Sequence, residues 1–282
     1  MDAVDARAIK TTRSRFTTRT WVAAHPVSAY LVLAYALSWA YWIPLALRAQ
    51  AVEPGVGWPS QMPGLLGPAI SAVIVTALIG GKAGLADLWR RMARWRVGWW
   101  WLSVVAILMA GGVGLLITGG VVHSGDLTLY NGISAGIGPL ATIAVVFLLN
   151  GVGEELGWRG FLADRLLKGH SLTATALLVA LVWAPWHAPL FFFLSSFKDF
   201  TIVGGVGWVI GLTAGSFVLT WLYRGSGSSI LLVAVWHTAF NFTSATAAFS
   251  GSAAAISSTV VMVAAVAIVG ADWRRGRRLR TS

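Results

Sequence analysis

The chain has 282 residues, of which 57% are hydrophobic and only 11% are charged. Soluble domains usually carry about 25% charged residues, so this composition excludes an ordinary soluble protein. The absence of cysteine excludes disulfides, thiolate metal sites and a cysteine nucleophile. The net charge of +11 does not indicate a nucleic-acid partner, because the basic residues lie between apolar segments rather than in one patch. Membrane lipids are the expected surroundings.

Eight continuously apolar runs have the length of membrane-crossing helices. They are Val27–Leu47, Pro63–Gly80, Trp99–Gly119, Ile137–Gly157, Leu172–Leu194, Gly204–Tyr223, Ile230–Phe249 and Ala253–Gly270. A transmembrane β-barrel would instead show short runs that alternate apolar and polar residues. The predicted fold class is therefore all-α, a polytopic membrane helix bundle of about eight transmembrane helices. No cleavable signal peptide is expected, since the first apolar run is long enough to span.

The positions of the basic residues predict the orientation. Apart from Arg48 and Lys198, every Lys and Arg belongs to the N-terminus, to segments that follow spans two, four and six, or to the C-terminus. Basic residues concentrate in cytoplasmic segments, so both termini are predicted to be cytoplasmic. The expected organisation is a basic N-terminus over residues 1–26, a transmembrane bundle over 27–270 and a basic tail over 271–282.

Two further patterns concern packing. Between spans two and three, apolar residues recur at helical spacing with arginines on the other face, which predicts an amphipathic helix on the membrane surface over residues 85–95. In span six, Gly207, Gly211 and Gly215 recur every four residues, a spacing that lets a neighbouring helix approach closely. We interpret this stripe as packing inside the bundle, with homodimerisation as the alternative; the sequence does not determine the oligomeric state.

An acidic pair lies at the end of span four. Glu154 and Glu155 are two of only three glutamates in the chain. A charged group at membrane depth costs about 2.5–3.5 kcal/mol on insertion scales, so such groups are normally paired, face a cavity or perform chemistry. Arg159 follows Glu155 by four residues, on the same helical face, so a structural ion pair is one explanation.

Polar residues in two other spans favour a functional site. His187 lies in span five, and His237 and Asn241 share one face of span seven because they are four residues apart. Glu154 and His187 are each about 16 residues from the turn that joins spans four and five, or roughly 25 Å along a helix, so they should lie at the same height. A lone histidine would more often be an interhelical hydrogen-bond partner, but three polar helices at one height predict a shared pocket.

These residues form three ordered motifs. They are Glu154-Glu155-x-x-x-Arg159, an aromatic residue four before a histidine at Trp183 and His187, and His237-x-x-x-Asn241. Over roughly residues 140–245, the motifs resemble those of the CAAX-protease and bacteriocin-processing family. That family includes type II CAAX prenyl endopeptidases, abortive-infection proteins and lysostaphin-resistance-like membrane proteins. Trp183 departs from the pattern, in which phenylalanine is usual, but should preserve an aromatic wall.

The resemblance implies an intramembrane endopeptidase, acting as a glutamate-dependent hydrolase. Glu154 and His187 would activate a water molecule, His237 and Asn241 would stabilise the oxyanion, and Glu155 and Arg159 would orient the site. Two histidines and a glutamate could also form a catalytic zinc site. The better-understood relatives resemble metal-independent enzymes, so we expect no cofactor and no metal.

Two other functions fit the same residues. One is a non-catalytic membrane scaffold or immunity factor that uses the polar cluster to bind a partner. The other is an ion-coupled transporter, which the absence of an inverted repeat makes less favourable. For the peptidase, the expected partner is a peptide or protein substrate, with or without an attached lipid. The family's distribution favours a multi-pass protein of a bacterial plasma membrane.

Overall fold

A computed structural model describes residues 18–246, 249 and 251–281 of the chain. In chain order the α-helices are α1 Thr18–Ala24, α2 Pro26–Leu47, α3 Gly67–Met92, α4 Leu102–Thr118, α5 Pro139–Leu166, α6 Leu172–Trp186, α7 Ser195–Lys198, α8 Ile202–Gly225, α9 Ile230–Ser244 and α10 Ser252–Thr281. These residues include no β-strand, only two isolated bridges. The all-α prediction is confirmed. Most of the predicted N-terminal segment lies outside the described residues, whereas α10 continues through most of the predicted tail.

Seven helical segments of the described chain are long and apolar enough to cross a membrane, and the protein is a multi-pass membrane protein. They are Pro26–Leu47, Met62–Met92, Gly98–Thr118, Pro139–Leu166, Leu172–Phe192, Ile202–Gly225 and Ala253–Arg275. Each coincides with a predicted span. The orientation of the termini stays a prediction.

The predicted span Ile230–Phe249 is shorter than expected. Its helix, α9, has 15 residues and ends at Ser244. At 1.5 Å per residue it is about 22 Å long, less than the roughly 30 Å hydrocarbon core. At its end the hydroxyl groups of Thr243 and Ser244 both donate to the Phe240 carbonyl oxygen, a contact that competes locally with the backbone pattern.

The predicted amphipathic segment continues α3 beyond a break at Gly81, whose φ of 53° is readily adopted only by glycine. Leu88 is buried in the bundle, whereas Trp89 is exposed. Arg91 does not face away from the bundle as expected. Its guanidinium donates to the Gly160 carbonyl oxygen and to the Tyr223 hydroxyl, and it pairs with Asp87. The segment therefore packs against α5 and α8 on one of its sides.

The helices alternate between two ends of the bundle. At the basic end, residues 92–98, 166–172 and 225–230 connect successive helices; at the loop end, residues 48–61, 119–138 and 187–201 do so. The loop-end segments are tied together by the bridges Val52–Leu194 and Pro54–Asn131. Inside the bundle α5 packs against α3 and α9, and α6 packs against α8. This packing brings α5, α6 and α9 around one buried region.

The glycine stripe of α8 does not mediate packing within the bundle. A Cβ atom added at Gly207, Gly211 or Gly215 would meet no atom within 4 Å of it in the described structure. The prediction of internal close packing at this stripe is therefore wrong. The close approaches occur in α5 instead, where a Cβ atom at Gly151 would lie 2.5 Å from Thr238 Oγ1 and 2.8 Å from the Ala234 carbonyl oxygen of α9.

Candidate active site

The acidic pair lies between two irregular stretches of α5. The helix is of the π type over Phe147–Val152 and again over Trp158–Ala163, with a short α-helical stretch, Gly153–Gly157, between them. A π turn adds a residue to the helical repeat, and such turns occur frequently at functional sites. Both glutamates therefore project from a segment whose register differs from that of a regular helix.

Glu154 points towards α6. Its side chain is buried, and Oε2 accepts a 2.7 Å hydrogen bond from the indole Nε1 of Trp183. The Trp183 ring also lies beneath the guanidinium of Arg159, with 4.4 Å between Cζ and the ring centroid. Trp183 is thus a hydrogen-bond donor to the acidic pair as well as the aromatic wall expected from the sequence.

Glu155 joins α5 to α9. Its Oε1 atom accepts from Arg159 Nη1 at 2.7 Å and from His237 Nδ1 at 2.8 Å. Both charged side chains are fully buried. Within the described residues, Glu155 Oε2 and the Nε and Nη2 atoms of Arg159 have no hydrogen-bond partner. Buried polar atoms normally find one, so these atoms remain available to a ligand or substrate.

His187 caps the end of α6. Its Nδ1 atom lies 2.8 Å from the Trp183 carbonyl oxygen, which can only accept, so Nδ1 carries the proton. In the neutral imidazole, Nε2 is then free to accept a proton or a hydrogen bond. The ring stands 5.9 Å from that of Trp183, which is itself 5.6 Å from the ring of His237. Trp183 therefore contacts both imidazoles.

Asn241 has two partners that the sequence interpretation missed. Its Nδ2 atom donates to Asn150 Oδ1 of α5. The second partner is Tyr130 of the loop-end segment, whose ring lies 5.7 Å from that of Phe242. Burial raises the pKa of the Tyr130 phenol, Glu154 raises it further, and a hydrogen bond with Asn241 opposes both effects. The phenol therefore stays protonated, and residues 119–138 cover the site from the loop end.

The structure brings all six predicted site residues into one buried region. Glu154 and His187 do not hydrogen bond to each other in the described structure; Trp183 connects them. Asn150 lies within a π-helical stretch, so regular helical spacing does not predict its contact with Asn241. Tyr130 gives no signal in the sequence either, since its segment is far away along the chain.

The zinc alternative requires three converging ligands. Nowhere in the described part of the chain do three His, Asp or Glu side chains lie close enough together to hold a metal ion. The Nε2 atoms of His187 and His237 are the ring nitrogens that have no protein partner among the described residues in this arrangement, and a metal-independent site stays a prediction.

An apolar groove borders the region near His187. It has a volume of about 510 Å³ and lies between α6 and α8, where Leu181, Pro185 and Phe191 are among its lining residues. Trp208 lines the groove and also contacts the His187 ring, at 5.1 Å between centroids. The groove is thus separated from the imidazole by one indole ring.

Comparisons with known proteins agree with the motifs. Residues 136–243 match the family model described as type II CAAX prenyl endopeptidase Rce1-like. Over 249 residues the chain is 24% identical to a protein named CAAX prenyl protease 2 from Methanococcus maripaludis, an alignment that covers 85% of this chain and 92% of that protein. All six predicted site residues fall inside the matched segment. The resemblance inferred from the sequence is confirmed: residues 136–243 are similar to the type II CAAX prenyl endopeptidase Rce1-like family, and most of the chain is similar to a CAAX prenyl protease.

Proposed function

We propose that this protein is an intramembrane endopeptidase that hydrolyses a peptide bond without a metal ion. The observation that carries the proposal is the position of Trp183, which hydrogen bonds to Glu154 and contacts the rings of both His187 and His237. Acidic, imidazole and amide side chains of three helices thereby share one buried region. The similarity of residues 136–243 to the Rce1-like family model supports the same activity.

In the proposed mechanism, Glu154 takes a proton from a water molecule that is oriented by Nε2 of His187. The water oxygen attacks the peptide carbonyl carbon, and the developing oxyanion accepts hydrogen bonds from Asn241 and His237. Asn241 uses one N–H for Asn150 and keeps the other for the oxyanion. His237 can donate from Nε2 only as an imidazolium, for which Glu155 is the counter-ion. When the C–N bond breaks, the proton on Glu154 passes to the leaving amine.

The test compares the wild-type protein with Glu154→Gln and His187→Ala in lipid nanodiscs, with cleavage of candidate peptides followed by mass spectrometry. General-base catalysis typically contributes about 10²–10⁴-fold, so each variant should lose at least 10²-fold in kcat. Glu53→Gln is the matched control, because Glu53 is exposed at the loop end. Normal cleavage by both variants would falsify the proposed roles of Glu154 and His187, whereas no cleavage by the wild-type protein would favour a scaffold function.

We propose further that the substrate carries an apolar chain that enters the groove between α6 and α8. The groove volume of about 510 Å³ lies within the usual range for small-ligand pockets, about 300–1,000 Å³. The name of the relative from Methanococcus maripaludis, CAAX prenyl protease 2, supports a lipid-modified substrate.

Two peptides of identical sequence, one prenylated and one not, provide the test. Leu181→Trp should fill the groove and raise KM for the prenylated peptide alone. An equal rise in KM for both peptides would show that the groove does not bind the apolar chain.

A further inference from the structure

A second cavity lies at the basic end of the bundle. It has a volume of about 240 Å³ and opens between the last turn of α8, the C-terminal part of α10, the start of α6 and the turn Gly98–Trp101. We call it the basic-end cleft, lined by Trp100, Trp221, Arg224, Asp272 and Arg275 together with smaller apolar residues. Its size is below the range of about 300–1,000 Å³ for drug-sized ligands, so it suits a small group.

The charges of the cleft favour an anion. Arg224 and Arg275 both line it, and neither forms an ion pair with any residue that the structure describes. Asp272 is the acidic residue of the lining, but its Oδ2 atom accepts hydrogen bonds from both the backbone N–H and the hydroxyl of Thr173, at 3.0 and 2.8 Å. This carboxylate is therefore committed to the first turn of α6, and the two guanidinium groups remain available.

A helix C-terminus attracts cations, and this effect is enough to explain the presence of Arg224 at the end of α8. It does not account for Arg275, which comes from a different helix and faces the same cleft. Guanidinium groups bind phosphate oxygens through paired hydrogen bonds, more specifically than an ammonium group would. Two of them on one small cavity therefore point to a phosphate-bearing ligand.

The tryptophans place the cleft at the membrane boundary. The rings of Trp100 and Trp221 meet edge to face with centroids 4.7 Å apart, and Trp99 stacks on Trp100 at 4.1 Å. Tryptophan is enriched where a membrane meets water, because its ring is apolar and its N–H is polar. A ligand bound here would meet both an apolar wall and two cations.

We propose that the basic-end cleft binds a phosphate group, and that this group is the head group of an anionic phospholipid. The aromatic wall and the position at the end of the spans favour the lipid, while free inorganic phosphate is the other source of the same chemistry. This binding does not depend on the proposed peptidase activity.

The experiment uses native mass spectrometry of the delipidated full chain in detergent, titrated with phosphatidylglycerol, phosphatidylcholine or inorganic phosphate. The test variant is Arg224→Gln/Arg275→Gln. The control is Arg90→Gln/Arg274→Gln, which removes the same charge from exposed side chains that do not line the cleft. Thermal unfolding without lipid checks that both variants remain folded.

We expect one phosphatidylglycerol molecule to bind more tightly than phosphatidylcholine. A cation near an anionic membrane surface strengthens binding about fivefold, so the test variant should lose roughly 10- to 30-fold in affinity and the control less than about threefold. Competition by millimolar inorganic phosphate would support phosphate recognition but assign the site to soluble phosphate. Equal losses in the test and control variants, or equal binding of the two lipids without competition by phosphate, would overturn the proposal.

Discussion

Trp183 donates its indole N–H to Glu154 Oε2 at 2.7 Å, which links the end of α6 to the acidic pair of α5. The same ring packs under the Arg159 guanidinium. One side chain thus supports both the carboxylate proposed to activate water and the cation that neutralises its neighbour.

Replacing Trp183 by phenylalanine separates these two contacts. Trp183→Phe keeps an aromatic face under Arg159 but removes the hydrogen bond to Glu154. A hydrogen bond to a charged group contributes about 1.5–3 kcal/mol, so we expect the free energy of unfolding to fall by about that amount and kcat to fall by about 10- to 100-fold, because Glu154 loses the donor that orients it. Trp183→Leu, which removes both contacts, should lower both quantities. Unchanged kcat in Trp183→Phe would show that the hydrogen bond does not contribute to catalysis.

The buried ion pair of Glu155 and Arg159 should dominate the stability of the site. Arg159→Met leaves Glu155 buried without its guanidinium partner, and breaking such a pair typically costs about 3–5 kcal/mol. The double variant Glu155→Gln/Arg159→Met removes both charges and should recover part of this loss. Chemical unfolding in detergent measures the free energies.

The exposed pair of Asp87 and Arg90 provides a control, because exposed ion pairs contribute only about 0.2–1 kcal/mol. Arg90→Gln should therefore change the free energy of unfolding by less than about 1 kcal/mol. The interpretation of the buried pair would be wrong if the losses in Glu155→Gln and Arg159→Met simply added in the double variant, since coupled residues deviate from additivity.

The seven long apolar helices and the proximity of six polar residues could be predicted from the sequence, because continuous apolar runs and isolated polar residues within them are strong signals. It was insufficient wherever contacts depend on tertiary packing. The two π stretches change the register of α5, so the partnership of Asn150 with Asn241 does not follow from regular helical spacing. The hydrogen bond from the indole N–H of Trp183 does not follow from the motif either, because the motif requires only an aromatic residue at this position.

Asn150 is expected to position the proposed oxyanion donor. Asn150→Leu preserves approximate volume but removes the oxygen that accepts from Asn241 Nδ2. The amide of Asn241 would then be free to rotate, so kcat should fall by about tenfold, less than the roughly 10²–10³-fold that loss of a direct oxyanion donor costs. KM should stay within about twofold. The measurement is steady-state peptide cleavage, with the exposed variant Glu53→Gln as the control. A rise in KM at constant kcat would instead assign Asn150 to substrate binding.

Replacing a glycine by alanine should have opposite effects on stability in α5 and in α8. At Gly151 a Cβ atom would lie 2.8 Å from a backbone oxygen of α9, which cannot move aside as a flexible side chain would. Gly151→Ala should therefore push α9, and with it His237 and Asn241, away from α5, at a cost of about 1–3 kcal/mol in stability and a large loss of activity. At Gly211 the added atom meets open space, and alanine favours a helix by about 1 kcal/mol relative to glycine. Gly211→Ala should therefore be neutral or stabilising.

Thermal unfolding and peptide cleavage of the two variants test this contrast. If Gly211→Ala proved as damaging as Gly151→Ala, α8 would have to contact another helix at that position, and the packing described for the bundle would be incorrect there.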